Sequence, residues 1–186
     1  MTADSRMAVF IEPHGELHDL VVAWKSRIAR RWPAAAYVDH PPHATVWVGD
    51  VRSCDEAEHS VTEAVSRVVD FSIAIRGPHV FYDDAPAGGG QTCAFAAKST
   101  DLLAHLQRAV AGALREHRTL VSDDRLSASL RQEPFLQSWR EFGFPFVGPH
   151  WMPHFTIASL PVRRDDPVLT EFLSTMPSCE MALGQL

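Results

Sequence analysis

Pro42-His43-Ala44-Thr45-Val46 recurs as Pro153-His154-Phe155-Thr156-Ile157, 111 residues further along a chain of 186. In both copies a proline, a histidine, a threonine and an aliphatic residue keep the same relative positions. Successive side chains of a strand point to opposite faces, so a histidine and a threonine two apart share a face. Ala44, Val46 and Val48, like Phe155 and Ile157, then face the other way and read as core. A proline suits the start of a strand and biases its neighbour towards extended geometry. Each stretch is therefore expected to be a strand with an apolar back and a front bearing one imidazole and one hydroxyl. Composition alone gives roughly 0.03 occurrences of Pro-His-x-Thr in a shuffled chain of this length, so two copies are not accidental.

Working outward, the two halves read alike. Residues 7–12 form a short apolar strand ended by Pro13. From Glu16 to Trp32, the residues Leu17, Leu20, Val21, Trp24 and Ile28 recur at helical spacing, with Lys25, Arg27, Arg30 and Arg31 assigned to the wet side. The first motif strand covers 43–51. A helix opens at Asp55 with Ala57, Val61, Ala64, Val65 and Val68 as its stripe, followed by a strand through Phe71, Ile73 and Ile75. Gly77-Pro78 is read as a turn into a further short strand at 79–82. Residues 83–90 carry three glycines, but no lysine follows at phosphate-loop spacing, and they read as a loose hairpin connection.

The order then restarts with a strand at 91–97. A helix capped by Ser99 or Thr100 follows, with Leu102, Leu103, Leu106, Val110, Ala113 and Leu114 as its stripe. The second motif strand covers 153–160. A short helix from Asp165 or Asp166 and a closing strand over 179–186, alternating Cys179, Met181 and Leu183, complete the half. Strand-helix-strand-helix-strand thus occurs twice, an internal repeat of supersecondary structure. The expectation is an α+β fold in a single domain, residues 1–186. Its two pseudo-symmetric lobes cover about 1–83 and 91–186 and are joined by a linker at 84–90. The first half's extra strand after Pro78 has no counterpart past Leu186, so either the fold does without it or the native chain continues.

The halves differ most at 119–150, a long connection of the kind that forms lids or binding loops. Its aromatic residues Trp139, Phe142, Phe144 and Phe146 fit a satellite core, with stacking on a flat substrate group as the alternative.

Composition bounds the function. An apolar fraction of 46% supports a full core, and a net charge of −6 argues against coating long nucleic acid, which needs a basic face. Three scattered cysteines, Cys54, Cys93 and Cys179, fit free thiols in a reducing compartment. No apolar run reaches the length of a membrane span, which gives the expectation of a cytoplasmic protein with no membrane partner.

The paired His-x-Thr-hydrophobic motifs, one per half and about a hundred residues apart, resemble those of the two-histidine (2H) phosphoesterases. That group includes bacterial 2′-5′ RNA ligase-like proteins and 2′,3′-cyclic nucleotide phosphodiesterases. The resemblance implies a bilobal fold with two antiparallel sheets facing a central cleft and helices outside. It maps His43 and Thr45 onto the first motif and His154 and Thr156 onto the second. The stretch Gly143-Phe-Pro-Phe-Val147 is similar to the lead-in of the second motif in a branch associated with phosphonate breakdown.

The chemistry follows from the residue types. Histidine alone has an ordinary pKa near 6.5, so one imidazole of a pair accepts a proton while the other donates one. Threonine hydroxyls donate to non-bridging phosphate oxygens. The expected activity is therefore a metal-independent phosphodiesterase opening a cyclic phosphate, with no cofactor. Its substrate is a small nucleotide or a short RNA end, or a 2′-5′ linkage made and broken reversibly. Trp47 is expected on the front face, stacking a base at the cleft edge or packing under a loop, and His150 and Trp151 at the cleft entrance. Two rival readings remain. One is a metal-dependent hydrolase using His40 with His43 and His150 with His154, whose spacings suit zinc. The other is a module that binds an RNA end or nucleotide without turnover.

Overall fold

The computed structural model describes residues 5–66, 68, 72–119, 122–175 and 180–182. Its strands are β1 (Ser5–Ile11), β2 (Ala44–Val51), β3 (Ser72–Asp84), β4 (Gly90–Ala97), β5 (His154–Leu160) and β6 (Glu180–Ala182). Its α-helices are α1 (Gly15–Arg31), α2 (Cys54–Val65), α3 (Asp101–Leu114), α4 (Phe135–Phe142) and α5 (Pro167–Leu173). The fold is α+β as expected.

The strands follow the order β1-β2-β5-β4-β3-β6, every neighbouring pair antiparallel. Five form one sheet, and β6 is added along the N-terminal end of β3, from Ser72 to Ala74. The two separate facing sheets expected from the resemblance are thus replaced by one series with a weak joint. That joint lies between the motif strands, where β2 and β5 share a single pair, Ala44 with Phe155. These residues hold the same place in their motifs, the position between histidine and threonine.

Helix starts follow from local chemistry. Ser53, Thr100 and Asp166 cap α2, α3 and α5, each side chain accepting from a backbone N–H of the first turn. One buried cluster lies between the sheet and its helices, with Trp24 of α1 edge-on to Phe172 of α5, and Phe172 against Phe95 of β4.

Several expectations need correcting. Lys25 is not on the wet side of α1. It lies between Val21 and Ile28 in the buried stripe and is only 6% exposed. In α3, Leu102 is exposed and Gln107 is inside. Gln107 takes that place because its amide is satisfied, donating to Phe146 O and accepting from Gly148 N, which ties the long connection to the core. Residues 72–84 are one strand and not two, because Gly77, at φ 145, absorbs a register shift instead of turning the chain. The connection at 83–90 is a hairpin as expected, tighter than a loose one in that Asp84 still pairs with Gly90. Phe71, Cys179 and Leu183 lie outside the described residues, while Cys54 and Cys93 are free thiols.

Candidate active site

The Ala44–Phe155 pair organises the site. Both residues are fully buried on the helix side of the sheet. Extending their register by one residue each way sets His43 opposite Thr156 and Thr45 opposite His154, all on the other face. None of the four is sealed from solvent. Diagonal neighbours in an antiparallel ladder lie roughly 7–8 Å apart, so two imidazoles placed this way leave room for a phosphorus centre between them.

Both histidines are held by the same device. Nδ1 of His43 bonds the carbonyl of Pro41, and Nδ1 of His154 bonds that of Met152, each at 2.7 Å and each two residues back in the chain. A carbonyl only accepts, so each Nδ1 carries the hydrogen, and in the neutral ring Nε2 keeps its lone pair. Burial, the largest cause, pushes both imidazoles below the usual histidine value. The two carbonyls partly oppose this shift. Lys25 and His40 lower His43 further, while Glu12 raises it. His154 is lowered by His79 and by His43 itself and raised by Asp84, so the two imidazoles share one electrostatic neighbourhood.

Aromatic rings flank each imidazole. Phe10 lies 4.0 Å from His43 between ring centroids, with His40 stacked beyond at 6.3 Å. Phe81 lies 4.9 Å from His154, and His79 is 4.6 Å from Phe81. His79 and Phe81 escaped the sequence reading because the register shift at Gly77 reverses the alternation of β3. Before the shift Ile73 and Ile75 point to the core, and after it Val80 does.

Of the three further residues assigned to substrate, Trp47 and Trp151 are buried and His150 is exposed. Trp47 is fully buried, its indole N–H donating to Phe142 O at 2.9 Å, so it does not stack a base. A β-bulge at Val46 is the reason. Val9 pairs with Trp47 and Phe10 with Thr45, so Val46 and Trp47 both turn inward. Trp151 is also buried, and its indole N–H donates to Thr45 O at 2.9 Å, bracing the first motif from behind. His150 is exposed, with its ring against Phe135 at 5.6 Å. In the long connection Phe144 and Phe135 each pack against Phe146, but Phe144 belongs to the main core and Phe142 and Phe146 pack against it, so these residues extend that core instead of forming a satellite one.

Of the histidine pairs considered for zinc, His40 and His43 stack on each other, whereas His150 and His154 lie on different rings. His150 lies on Phe135 while His154 lies on Phe81. Among the described residues, no three His, Cys, Asp or Glu side chains are arranged to hold a metal ion. None of the described helices is long and apolar enough to cross a membrane.

An antiparallel α+β protein whose two His-x-Thr stretches meet at the residue between histidine and threonine, each imidazole bonding the carbonyl two residues back, fits the class of two-histidine proteins. A family model described as the 2′-5′ RNA ligase superfamily matches residues 13–186, and the chain belongs to that family, which lies within the 2H phosphoesterase superfamily. No curated protein matches the chain.

Proposed function

We propose that the protein is a metal-independent phosphodiesterase that opens a cyclic phosphate, with His43 and His154 as acid and base and Thr45 and Thr156 holding the phosphate. The supporting observation is the shared Nδ1 bond of the two imidazoles, combined with a register that sets all four side chains on one face. In this reading the molecule has two lobes, joined at the Ala44–Phe155 pair, and the phosphate lies across that joint.

Water attacks phosphorus and loses a proton to Nε2 of one imidazole. The P–O bond to the 2′ or 3′ oxygen breaks, and that oxygen takes a proton from Nε2–H of the other imidazole. The two rings end with their roles exchanged, which also suits the reverse, ligating direction. Proton transfer at each side contributes about 100- to 10,000-fold. The threonine hydroxyls donate to the non-bridging oxygens as charge gathers there. In the free protein desolvation disfavours the charged form of both rings, whereas a bound phosphate anion stabilises an imidazolium and so completes the acid–base pair.

The substrate is a small nucleotide or a short RNA end. The test is incubation with a panel of 2′,3′-cyclic phosphates, on mononucleotides and on RNA ends, and with 2′-5′ dinucleotides, all with excess chelator. Expected is opening of at least one cyclic phosphate, abolished by His43→Ala and by His154→Ala in variants that unfold like the wild type. Turnover lost to chelator supports the metal-dependent alternative. A stable complex without hydrolysis supports the binding module.

A further inference from the structure

Strand β5 loses its neighbour just where the site is built. Beyond the Ala44–Phe155 pair no further β2 residue pairs with it, and the exposed edge of β5 needs other partners. The segment between α1 and β2 supplies one, with Ser159 N donating to Ala36 O at 2.8 Å as an isolated antiparallel bridge. Lys25 supplies the other. Its Nζ donates to Ile157 O at 2.9 Å and to Tyr37 O at 2.5 Å. Ile157 directly follows Thr156, and Tyr37 lies on the loop that leads into His43. One ammonium therefore bonds the backbone of both motif-bearing segments.

Lysine is almost never buried unless its charge is compensated. Burial pushes Lys25 down to about 8, with the Asp39 carboxylate partly opposing the shift. Closing a strand edge does not require a charge. On the other motif strand the neutral indole of Trp151 satisfies Thr45 O. Lys25 differs in having a second arm, and that arm grips Tyr37, which is held in a left-handed conformation at φ 68. An L-residue keeps such a conformation only where its surroundings enforce it.

We propose that Lys25 is a positioning residue of the site. By gripping Tyr37 O and Ile157 O, it fixes the loop that delivers His43 against the strand that delivers His154, and so sets how the two imidazoles face one phosphorus. The proposal rests on the acid–base reading above and adds a residue that touches neither substrate nor transferred proton. The charged and titratable groups around this clamp are Asp39 and His40 on the loop, Glu12 between β1 and α1, and His43 itself.

The experiment compares Lys25→Met, which keeps the aliphatic stem and removes both donors and the charge, with Lys25→Arg, which keeps charge and donors. Two quantities are read: the NMR titration midpoint of His43 in the free protein, and kcat and KM on the best cyclic phosphate. In Lys25→Met the His43 midpoint rises, because a positive neighbour is gone. Its kcat falls by on the order of 100-fold, the effect of misplacing a catalytic group by about 1 Å, with much less change in KM. Lys25→Arg recovers part of both. An unchanged midpoint, or an unchanged kcat, in folded Lys25→Met overturns the proposal. If the wild type opens no cyclic phosphate, the acid–base reading fails while the midpoint still decides the role of Lys25. Should Lys25→Met not fold, Lys25→Gln is judged by the same readouts. Failure of both to fold makes Lys25 a strut for the fold and overturns the proposal.

Discussion

An imidazole tied to the carbonyl two residues before it can neither flip nor change tautomer without breaking that bond. His43 and His154 share this constraint, and burial lowers both, as it lowers His79 beside Arg76. The consequence for stability has a definite sign. A histidine whose folded value lies below its unfolded value of about 6.5 binds a proton more readily in the unfolded chain. Above that unfolded value neither state is protonated and the effect is absent. As the pH falls through it towards the folded value, the unfolded chain gains protons first and the fold loses stability. Below the folded value the loss is complete. All three histidines act in this direction, so urea unfolding should show lower stability at pH 5 than at pH 7, and His154→Leu should reduce the difference. Equal pH dependence in wild type and variant would count against a desolvated His154. Phosphate binding works the other way, since an anion favours the protonated rings.

At the scale of elements, the motif strands share a second feature, a bulge at the aliphatic residue after threonine. β2 has two residues, Thr45 and Trp47, paired to consecutive Phe10 and Val9, and β5 has Thr156 and Ala158 paired to consecutive Ala94 and Cys93. The bulges at Val46 and Ile157 let each strand present histidine and threonine to the site and then turn two successive side chains inward. Trp47 depends on this turn and fills the space beside Gly49, where an added Cβ would lie 2.6 Å from the indole ring. The ring cannot yield cheaply, being fully buried and bonded to Phe142 O. Gly49→Ala should therefore cost about 1–3 kcal/mol, the usual range for overpacking. Chemical denaturation measures it, and a cost below about 0.5 kcal/mol, the usual range of surface changes, would mean that the indole has room to move.

This is also where reading from sequence reaches its limit. The duplicated motif, the helix caps and the repeated order of elements are local signals, and strand alternation is what assigns His43, Thr45, His154 and Thr156 to a common front. A period-two argument cannot see a bulge. Two bulges, at Val46 and before Gly77, account for Trp47 being inside and for His79 and Phe81 having been missed. Lys25 left a fainter trace, four residues after Val21 and three before Ile28 in the apolar stripe. Its charge argued for solvent, and only the splayed edge of β5 explains why it is buried.

At the scale of the molecule, a series of strands whose two motif strands share one β-pair raises the question of whether the parts on either side of that joint unfold together. The pair Ala44–Phe155 is little backbone to couple β1 and β2 to the remaining strands. The rest of the coupling comes from the core, where Phe172 packs on the β5 side of the joint. From α5, late in the chain, it meets Trp24 of α1 at 5.1 Å and Phe95 of β4 at 5.2 Å, with no exposed surface of its own. A fully buried ring contributes to the core roughly what its removal costs, typically about 3–5 kcal/mol for Phe→Ala. Phe172→Ala should therefore lower the stability of the whole protein by that amount while keeping one transition. The checking measurement is urea unfolding followed by both tryptophan fluorescence and far-UV circular dichroism, which coincide for a single cooperative unit. Separated transitions in the wild type would show two lobes with independent cores. Separation in the variant alone would show that the core on the Phe172 side is what keeps the two parts in one cooperative unit.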